Sequence, residues 1–319
     1  MSSLTDLPRV LVLAGGISHE RDVSLRSGAR VAEALRQLGV EVYQAEPDST
    51  LLGTLDDLAP DVIWPALHGA SGEDGALRDL LSRGGIPYVG ARGSATRLAW
   101  EKPVAKGIVA SHGLATPVSV TLPRETFREL DARSVITYLG KHLSLPLVVK
   151  PARGGSAMGV SMVDDLSQLP RALVDAYTYC DVALIEQRVY GTEIAISLID
   201  EGDGVVALPA VEIIPLSGVY SFEARYNAGE TDFFCPARLS ETHLAQAVEA
   251  ATTAHQVLGL RHLSRVDLIV DADGTPWFLE ANVLPGLTET SLFPLALQAS
   301  GRSPGETYLR LAQAAARDR

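Results

Sequence analysis

Lysine and cysteine are both scarce in this sequence. Of the 27 basic residues in the 319-residue chain, only four are lysines. They are Lys102, Lys106, Lys141 and Lys150. Because arginine serves elsewhere, each retained lysine suggests a position that needs a compact point charge. Cys180 and Cys235 form neither a CxxC pair nor a metal-binding spacing, so we expect two free, buried thiols in a reducing compartment.

An excess of positive charge and long apolar runs are also absent. The formal net charge is −12, which repels nucleic acid and anionic membranes, so we expect neither as a partner. No uncharged apolar run reaches the length of a membrane span, and residues 1–9 lack the features of a signal peptide. With 46% hydrophobic and 21% charged residues, the chain has a globular composition, and we expect it in the cytoplasm.

Strands alternate with helices over roughly the first 95 residues. The predicted strands are 9–14, 40–43, 61–67 and 86–89, and the predicted helices are 23–38 and 76–81. This alternation indicates a doubly wound α/β domain with a parallel sheet. Such sheets bind ligands in the loops after the strand ends. Gly15-Gly16 and His68-Gly69 both lie in such loops.

The remaining sequence predicts two further units, and we place the domains at 1–95, 96–186 and 187–319. The predicted helices are 95–112, 241–258 and 304–316. The predicted strands are 117–123, 145–150, 159–163, 182–189, 193–199 and 211–214, with a hairpin at 263–270 and 276–282. A polar, aromatic loop is predicted at 217–232. Ser303 is a candidate N-cap for the last helix, with Pro304 at its first position.

The strongest chemical pattern lies in the predicted hairpin. Asp267 is on its first strand, and Glu280 and Asn282 lie two residues apart on its second. Side chains two apart share a face, which Asp267 can join from the paired strand. Two carboxylates and an amide oxygen suit Mg²⁺, which bridges phosphates. The alternative is a solvated acidic face, but the surrounding apolar residues favour a cleft. Beyond this hairpin, Gly286 can present a backbone N–H to an oxyanion.

Lys150 ends a predicted strand and is followed by a turn that contains Gly154, Gly155 and Ser156. A lysine before a mobile glycine loop suits phosphate binding, with backbone N–H groups as donors. The spacing is not that of a Walker A loop. An ordinary hairpin turn explains the same pattern about equally well.

Two residues near the ends of the N-terminal strands have both a structural and a functional interpretation. Glu20 lies close to a predicted helix start, where a carboxylate can cap the helix or interact with its dipole. Alternatively, it binds a substrate ammonium. His68 follows the third strand, and a single histidine in a loop is more often structural or solvated than catalytic.

Seven segments together resemble the D-alanine–D-alanine ligase family of the ATP-grasp superfamily, and they extend over essentially the whole chain. They are GGISHERDVSLRSG from Gly15, LHGASGEDG from Leu67, IPYVG from Ile86, VVKPARGGSAMGV from Val148, GTE at 191–193, RVDLIV from Arg265 and FLEANVLPGLTETSLFP from Phe278. The resemblance implies an N-terminal doubly wound domain followed by a two-lobed ATP-grasp fold. It also implies a homodimer that acts in peptidoglycan precursor synthesis.

The resemblance implies a reaction in which ATP phosphorylates the carboxylate of one D-alanine and the amine of a second attacks the acyl-phosphate. The implied cofactors are ATP as a substrate and Mg²⁺ or Mn²⁺, with two ions. The alternative is a paralogous ligase of the same mechanism that joins another small amino acid or amine.

The resemblance also assigns residues to roles in this reaction. Nucleotide binding is implied for Lys102, Lys150, Glu186, Gln187, Val189, Glu193 and Arg225. The metal ligands are Asp267, Glu280 and Asn282. Glu20 is implied to hold the first ammonium, His68 to neighbour the acyl-phosphate, Arg265 and the Gly286 N–H to stabilise the oxyanion, and Ser291 and Leu292 to form the second amino-acid pocket.

The resemblance further implies a closing lid at 219–226. It implies a hydrogen-bonded set of Ser156, Glu193 and Tyr226 that ties this lid to the glycine loop. Four positions depart from the usual family residues, namely Phe222 for Tyr, Arg225 for Lys, Ala157 for Ser and Glu101 for Asp. None of them removes a required chemical group, but an altered second substrate is conceivable.

Overall fold

The structure is a computed structural model that describes residues 7–227 and 229–318, with only the backbone of Tyr226. The N-terminal elements are β1 (Val10–Ala14), α1 (Arg21–Gln37), β2 (Val42–Ala45), α2 (Leu51–Leu58), β3 (Val62–Ala66), α3 (Ala70–Glu73) and α4 (Ala76–Arg83). Two helices follow, α5 (Gly93–Trp100) and α6 (Lys102–Ser111).

The next part of the chain forms β4 (Ser119–Pro123), α7 (Arg124–Glu129), α8 (Ala132–His142), β5 (Leu147–Pro151), β6 (Ser161–Val163), a 3₁₀ turn (Leu166–Gln168), α9 (Leu169–Tyr177) and β7 (Val182–Gln187). The last part forms β8 (Thr192–Asp200), β9 (Val205–Ala207), β10 (Val211–Pro215), α10 (Phe222–Tyr226), β11 (Thr231–Phe234), α11 (Glu241–Val257), β12 (Leu263–Val270), β13 (Pro276–Asn282), α12 (Leu292–Ala299) and α13 (Pro304–Arg317).

The N-terminal sheet is parallel, with strand order β2-β1-β3. Alternate residues of β1 face opposite layers. Val10 and Val12 join a core with α1 and α13, whereas Leu11 and Leu13 join a second core with α2 and α4. Helices on both faces explain why β1 is apolar at every position. The doubly wound domain is thereby confirmed.

Two antiparallel sheets form the rest of the protein. One has the order β4-β7-β5-β6, and the other has the order β11-β10-β8-β12-β13, with β9 pairing β8. The predicted hairpin of β12 and β13 has the predicted bounds. Ser303 caps α13 by accepting a hydrogen bond from the Glu306 N–H, as predicted.

Two elements predicted within the first 112 residues are wrong. The single helix predicted at 95–112 is two helices, α5 and α6, separated at Glu101, whose backbone is extended. Pro103 explains the break, because its ring would clash with the carbonyl four residues earlier in a continuous helix. The strand predicted at 86–89 is reduced to one bridge between Tyr88 and Ile63.

Helices α5 and α6 pack on the C-terminal sheet. Ala99, Ala105 and Val109 share a core with Ile194 and Phe278. The first position of α6 is Lys102, so this packing places a lysine against the strands of the hairpin. Among the described residues, no helix is both long and apolar enough to cross a membrane.

Two buried histidines make this core sensitive to acid. Burial lowers the pKa of His255 and of His262 to about 4, from an ordinary 6.5. Each ring is therefore neutral in the folded protein but gains a proton on unfolding between about pH 4 and 6.5. We expect the free energy of unfolding to fall as the pH drops through this window, on the order of 2–3 kcal/mol per histidine.

The measurement is urea unfolding at several pH values between 4 and 7. A His255→Asn variant should show a shallower loss of unfolding free energy than the unsubstituted protein, by up to about 1.4 kcal/mol per pH unit. Equal slopes for the two proteins would contradict the assignment.

Candidate active site

The hairpin brings four predicted site residues to one face of the C-terminal sheet. Arg265 pairs with Asn282, and Asp267 pairs with Glu280. Because each pair is two residues from the next along its strand, all four side chains lie on one side. The predicted convergence of Asp267, Glu280 and Asn282 therefore agrees with the strand register.

Arg265 and Asp267 form a buried, two-bonded ion pair. Arg265 Nε donates to Asp267 Oδ1 at 2.6 Å, and Nη2 donates to Oδ2 at 2.8 Å. Both side chains are only 8% exposed. Burial opposes the charge of Arg265, but Asp267 outweighs it and raises the pKa of the guanidinium. The pair fixes the plane of the guanidinium at the base of the site.

Lys102 links this face to the glycine loop. Its ammonium lies 3.1 Å from Glu280 Oε2 and donates to the Gly154 carbonyl at 2.5 Å. Burial alone would raise the pKa of Glu280. Lys102, Arg225 and Lys150 outweigh burial and lower this pKa to about 2. Glu280 is therefore a carboxylate surrounded by cations.

Glu186 lies between two lysines in the sheet of β4–β7. Lys150 Nζ lies 2.5 Å from Glu186 Oε1, and Lys106 Nζ lies 2.5 Å from Oε2. Burial would raise the pKa of Glu186, but the two ammonium groups lower it. Three of the four lysines are thus buried at this site. Lys106 had no predicted role, although the scarcity of lysine in the chain indicates a functional position for Lys106 as much as for Lys102.

The glycine loop meets the N-terminal domain at Glu20. Ser156 Oγ donates a hydrogen bond to Glu20 Oε1. Glu20 is buried, and its side chain makes no capping hydrogen bond to α1, so the capping interpretation is wrong. Ser156 and Ala157 both have positive φ, at 55° and 56°, a strained conformation for residues with a side chain.

His68 is buried and neutral. Burial lowers its pKa to about 4, and nearby Arg265 adds to the effect. Its Nε2 lies 2.9 Å from Ser27 Oγ, which accepts a hydrogen bond from the Leu287 N–H at 3.2 Å. Ser27, which was not predicted, thus connects His68 to the segment beside Gly286.

Two further carboxyl groups have raised pKa values. Burial raises the pKa of Glu73 to about 8, and Glu20 adds to the effect. Glu73 Oε1 accepts a hydrogen bond from the Gly69 N–H at 2.8 Å. Burial also raises the pKa of Glu193 to about 7, with Arg225 opposing. Buried acids with shifted pKa values are concentrated at functional sites, and Glu73 is a candidate that sequence reasoning missed.

Two adjoining cavities occupy the cleft, and they share Gly155, Tyr220, Arg225 and Glu280. The first extends between the two antiparallel sheets. Its wall includes Lys102, Lys150, Glu186, Gln187, Val189, Glu193 and Asp267, with apolar Val148, Ile269 and Leu279. The second is lined by Glu20, His68, Glu73, Ser156, Arg265, Asn282, Gly286, Ser291 and Leu292, among others. The predicted nucleotide and amino-acid residues therefore separate into two neighbouring spaces.

The predicted lid carries a short helix, α10, where a loop was predicted. Ser221 caps this helix by accepting a hydrogen bond from the Ala224 N–H at 3.3 Å. The Arg225 guanidinium stacks on Tyr220, with its carbon 4.2 Å from the ring centroid. Phe222 is 39% exposed. The Tyr226 side chain lies outside the described residues, so its predicted bond to Ser156 or Glu193 stays a prediction.

The segment after the hairpin shapes the second cavity. Ser291 Oγ lies 2.7 Å from Thr288 Oγ1 and accepts a hydrogen bond from the Thr288 N–H at 3.1 Å. A side chain at Gly286 would meet Ser291 Oγ at 2.7 Å. A larger residue would displace the Ser291 hydroxyl, whereas glycine lets the backbone border the cavity.

The protein has a parallel-sheet domain followed by two antiparallel sheets, which enclose a cleft lined by lysines and carboxylates. This is the architecture of ATP-grasp enzymes. The family described as "D-ala D-ala ligase C-terminus" matches residues 108–311. A D-alanine--D-alanine ligase of Anaeromyxobacter sp. (strain K) is 40% identical over 308 residues, 97% of each chain. The chain therefore belongs to the D-alanine–D-alanine ligase family.

Solved structures agree with this assignment. A Bacillus anthracis D-alanine--D-alanine ligase complexed with ATP has a TM-score of 0.81 at 27% identity, over 98% of both chains. The VanG D-Ala:D-Ser ligase of Enterococcus faecalis has a TM-score of 0.82 at 25% identity, over 97% of this chain and 99% of that one.

The buried Arg265–Asp267 pair leads to a prediction about stability. Asp267→Asn would leave the buried guanidinium without its balancing charge, and we expect a loss of about 3–5 kcal/mol in the free energy of unfolding. Asp175→Asn is the matched control, because its contact with Arg171 is long, at 3.9 Å, and exposed. That change should cost less than about 1 kcal/mol. Equal losses in urea unfolding would contradict the prediction.

Proposed function

We propose that this protein joins two molecules of D-alanine to D-alanyl-D-alanine, with ATP converted to ADP and phosphate, for peptidoglycan precursor synthesis. The observation that carries the proposal is the pair of adjoining cavities. One is lined by apolar residues and by lysines, and the other is lined by Glu20, neutral His68 and Arg265. Relatives named D-alanine--D-alanine ligase support D-alanine as the second substrate, over the alternative of another small amino acid or amine.

The reaction begins with ATP in the first cavity and the first D-alanine in the second. We assign the ammonium of this D-alanine to Glu20, which already accepts a hydrogen bond from Ser156. Lys102 and Lys150 balance the phosphate charge while the substrate carboxylate attacks the γ-phosphorus. The bond between the γ-phosphorus and ADP breaks, so the products of this step are an acyl-phosphate and ADP.

The amine of the second D-alanine, once deprotonated, then attacks the acyl carbon. Arg265 and the Gly286 N–H stabilise the oxyanion, and collapse of the tetrahedral intermediate expels phosphate and leaves the amide. Arg265 suits this role because its two bonds to Asp267 hold the guanidinium plane in advance. Ser291 and Leu292 border the space for the second D-alanine.

The same hairpin face would hold the metal. Asp267, Glu280 and Asn282 offer oxygen ligands on one side of the sheet, a donor set that fits Mg²⁺ or Mn²⁺. Glu280 is fully ionised near neutral pH, which suits a cation ligand. We propose two ions, which supply positive charge to the phosphates when bound.

Three further features belong to the proposal and rest on the family resemblance. They are a homodimer, a cytoplasmic location, and domains at 1–95, 96–186 and 187–319. Sedimentation at micromolar concentration tests the dimer. A single species at the monomer mass of 33.9 kDa would contradict it.

ATP-dependent phosphate release with pairs of amino acids tests the reaction. We expect the highest rate with D-alanine alone, and no stimulation by L-alanine. The product should have the mass of a dipeptide. Faster turnover when a second amino acid or amine is added to D-alanine would favour the paralogous ligase instead.

Replacing Glu280 tests the metal assignment. Glu280→Ala should lower phosphate release about 10²–10⁴-fold, because charge stabilisation of phosphoryl transfer is lost. Glu249→Ala, on the exposed side of α11, is the control and should retain normal activity. Near-normal release by the Glu280 variant at saturating Mg²⁺ would rule the assignment out.

A further inference from the structure

Lys106 is the buried lysine that the reaction leaves without a role. It lies four residues after Lys102 on α6, so both side chains extend from the same face of this helix. Lys102 contacts Glu280 on the C-terminal sheet, and Lys106 contacts Glu186 on the neighbouring sheet. One helix thus delivers an ammonium group to a carboxylate on each side of the cleft.

Lys106 lies behind the nucleotide cavity. Glu186, Lys150 and Pro117 line that cavity, whereas Lys106 is absent from the described residues along its wall. Its side chain is 4% exposed. Its ammonium donates to Glu186 Oε2 at 2.5 Å and to the Pro117 carbonyl at 3.0 Å. Lys106 therefore acts on a nucleotide only through the groups that it holds.

The charge count explains what this contact achieves. Glu186 carries one negative charge and faces two ammonium groups, so the three side chains together are cationic. Without Lys106, Glu186 and Lys150 would form a neutral pair, and the full carboxylate charge would hold the Lys150 ammonium. Glu280 and Glu193 also act on Lys150, and sharing the Glu186 carboxylate with Lys106 leaves more of the Lys150 positive charge unbalanced toward the cavity.

We propose that Lys106 is a positioning residue for ATP binding, which holds Glu186 from behind and thereby keeps the Lys150 ammonium directed at the nucleotide phosphates. The inference rests on the proposed function, because ATP is the ligand of the first cavity. It also explains why this buried position carries lysine in a chain that otherwise uses arginine. A compact ammonium fits between the Glu186 carboxylate and the Pro117 carbonyl and donates to both, whereas a guanidinium is larger and planar.

A double-mutant cycle with Glu186 tests the inference by titration calorimetry of ATP. Lys106→Met should weaken ATP binding about tenfold or more. In a Glu186→Gln background, the same change should weaken it less than about twofold. The KM for D-alanine should stay within about twofold of the unsubstituted value. Equal weakening of ATP binding in both backgrounds would overturn the inference.

The controls separate this inference from the proposed function. Lys141→Met, an exposed lysine on α8, should leave ATP binding unchanged. Failure of the unsubstituted protein to bind ATP would contradict the proposed function itself, whereas normal ATP binding by Lys106→Met would contradict only the positioning role.

If circular dichroism shows that Lys106→Met does not fold, Lys106→Arg takes its place in the same cycle. We expect about threefold weaker ATP binding for it, and only where Glu186 is present.

Discussion

Cations and carboxylates, most of them buried, are paired around the cleft, and the other features of the site depend on their mutual neutralisation. Glu186 is held by Lys106 and Lys150, Glu280 by Lys102, and Asp267 by Arg265. An isolated charge at these depths would be strongly unfavourable. Each charge is therefore stabilised by a partner of opposite sign. The partner comes from another element or, for Arg265 and Asp267, from the same strand. The pairing fixes how α6 lies against both sheets and leaves a net positive charge where phosphates would bind.

The N-terminal domain contacts the rest of the site at the glycine loop and at the segment after the hairpin, where Ser27 accepts a hydrogen bond from the Leu287 N–H. Ser156, in the glycine loop, donates to Glu20, which comes from the loop before α1. The strained backbone at Ser156 and Ala157 shows that the surrounding contacts determine the loop conformation. The residue proposed to bind the first amino acid thus also touches the loop that borders the nucleotide cavity.

Sequence alone predicted the parts of the fold that are governed by local pattern. The strand–helix alternation of the N-terminal domain, the hairpin of β12 and β13, and the Ser303 cap follow from periodicity and capping chemistry. The break at Glu101 was missed because apolar spacing continues through Pro103, although proline itself carried the signal. The strand predicted at 86–89 was wrong because strand pairing depends on backbone that is distant in the sequence. In the described part of the chain, this segment forms a single bridge, to Ile63. Lys106 and Ser27 were missed because their partners Glu186 and Leu287 lie far away in the sequence, and Glu73 was missed because its burial depends on the tertiary fold.

The residues that depart from the usual family residues differ in how many contacts they make with the site. Glu101 accepts a hydrogen bond from Arg153 in the glycine loop, so the longer carboxylate still ties α6 to that loop. Arg225 stacks on Tyr220 and lies where both cavities meet, a geometry that a lysine would not reproduce. Phe222 is partly exposed on α10. Of these three, Arg225 is the one whose side chain borders both substrate spaces, so its replacement of lysine bears most directly on how the two reacting groups meet.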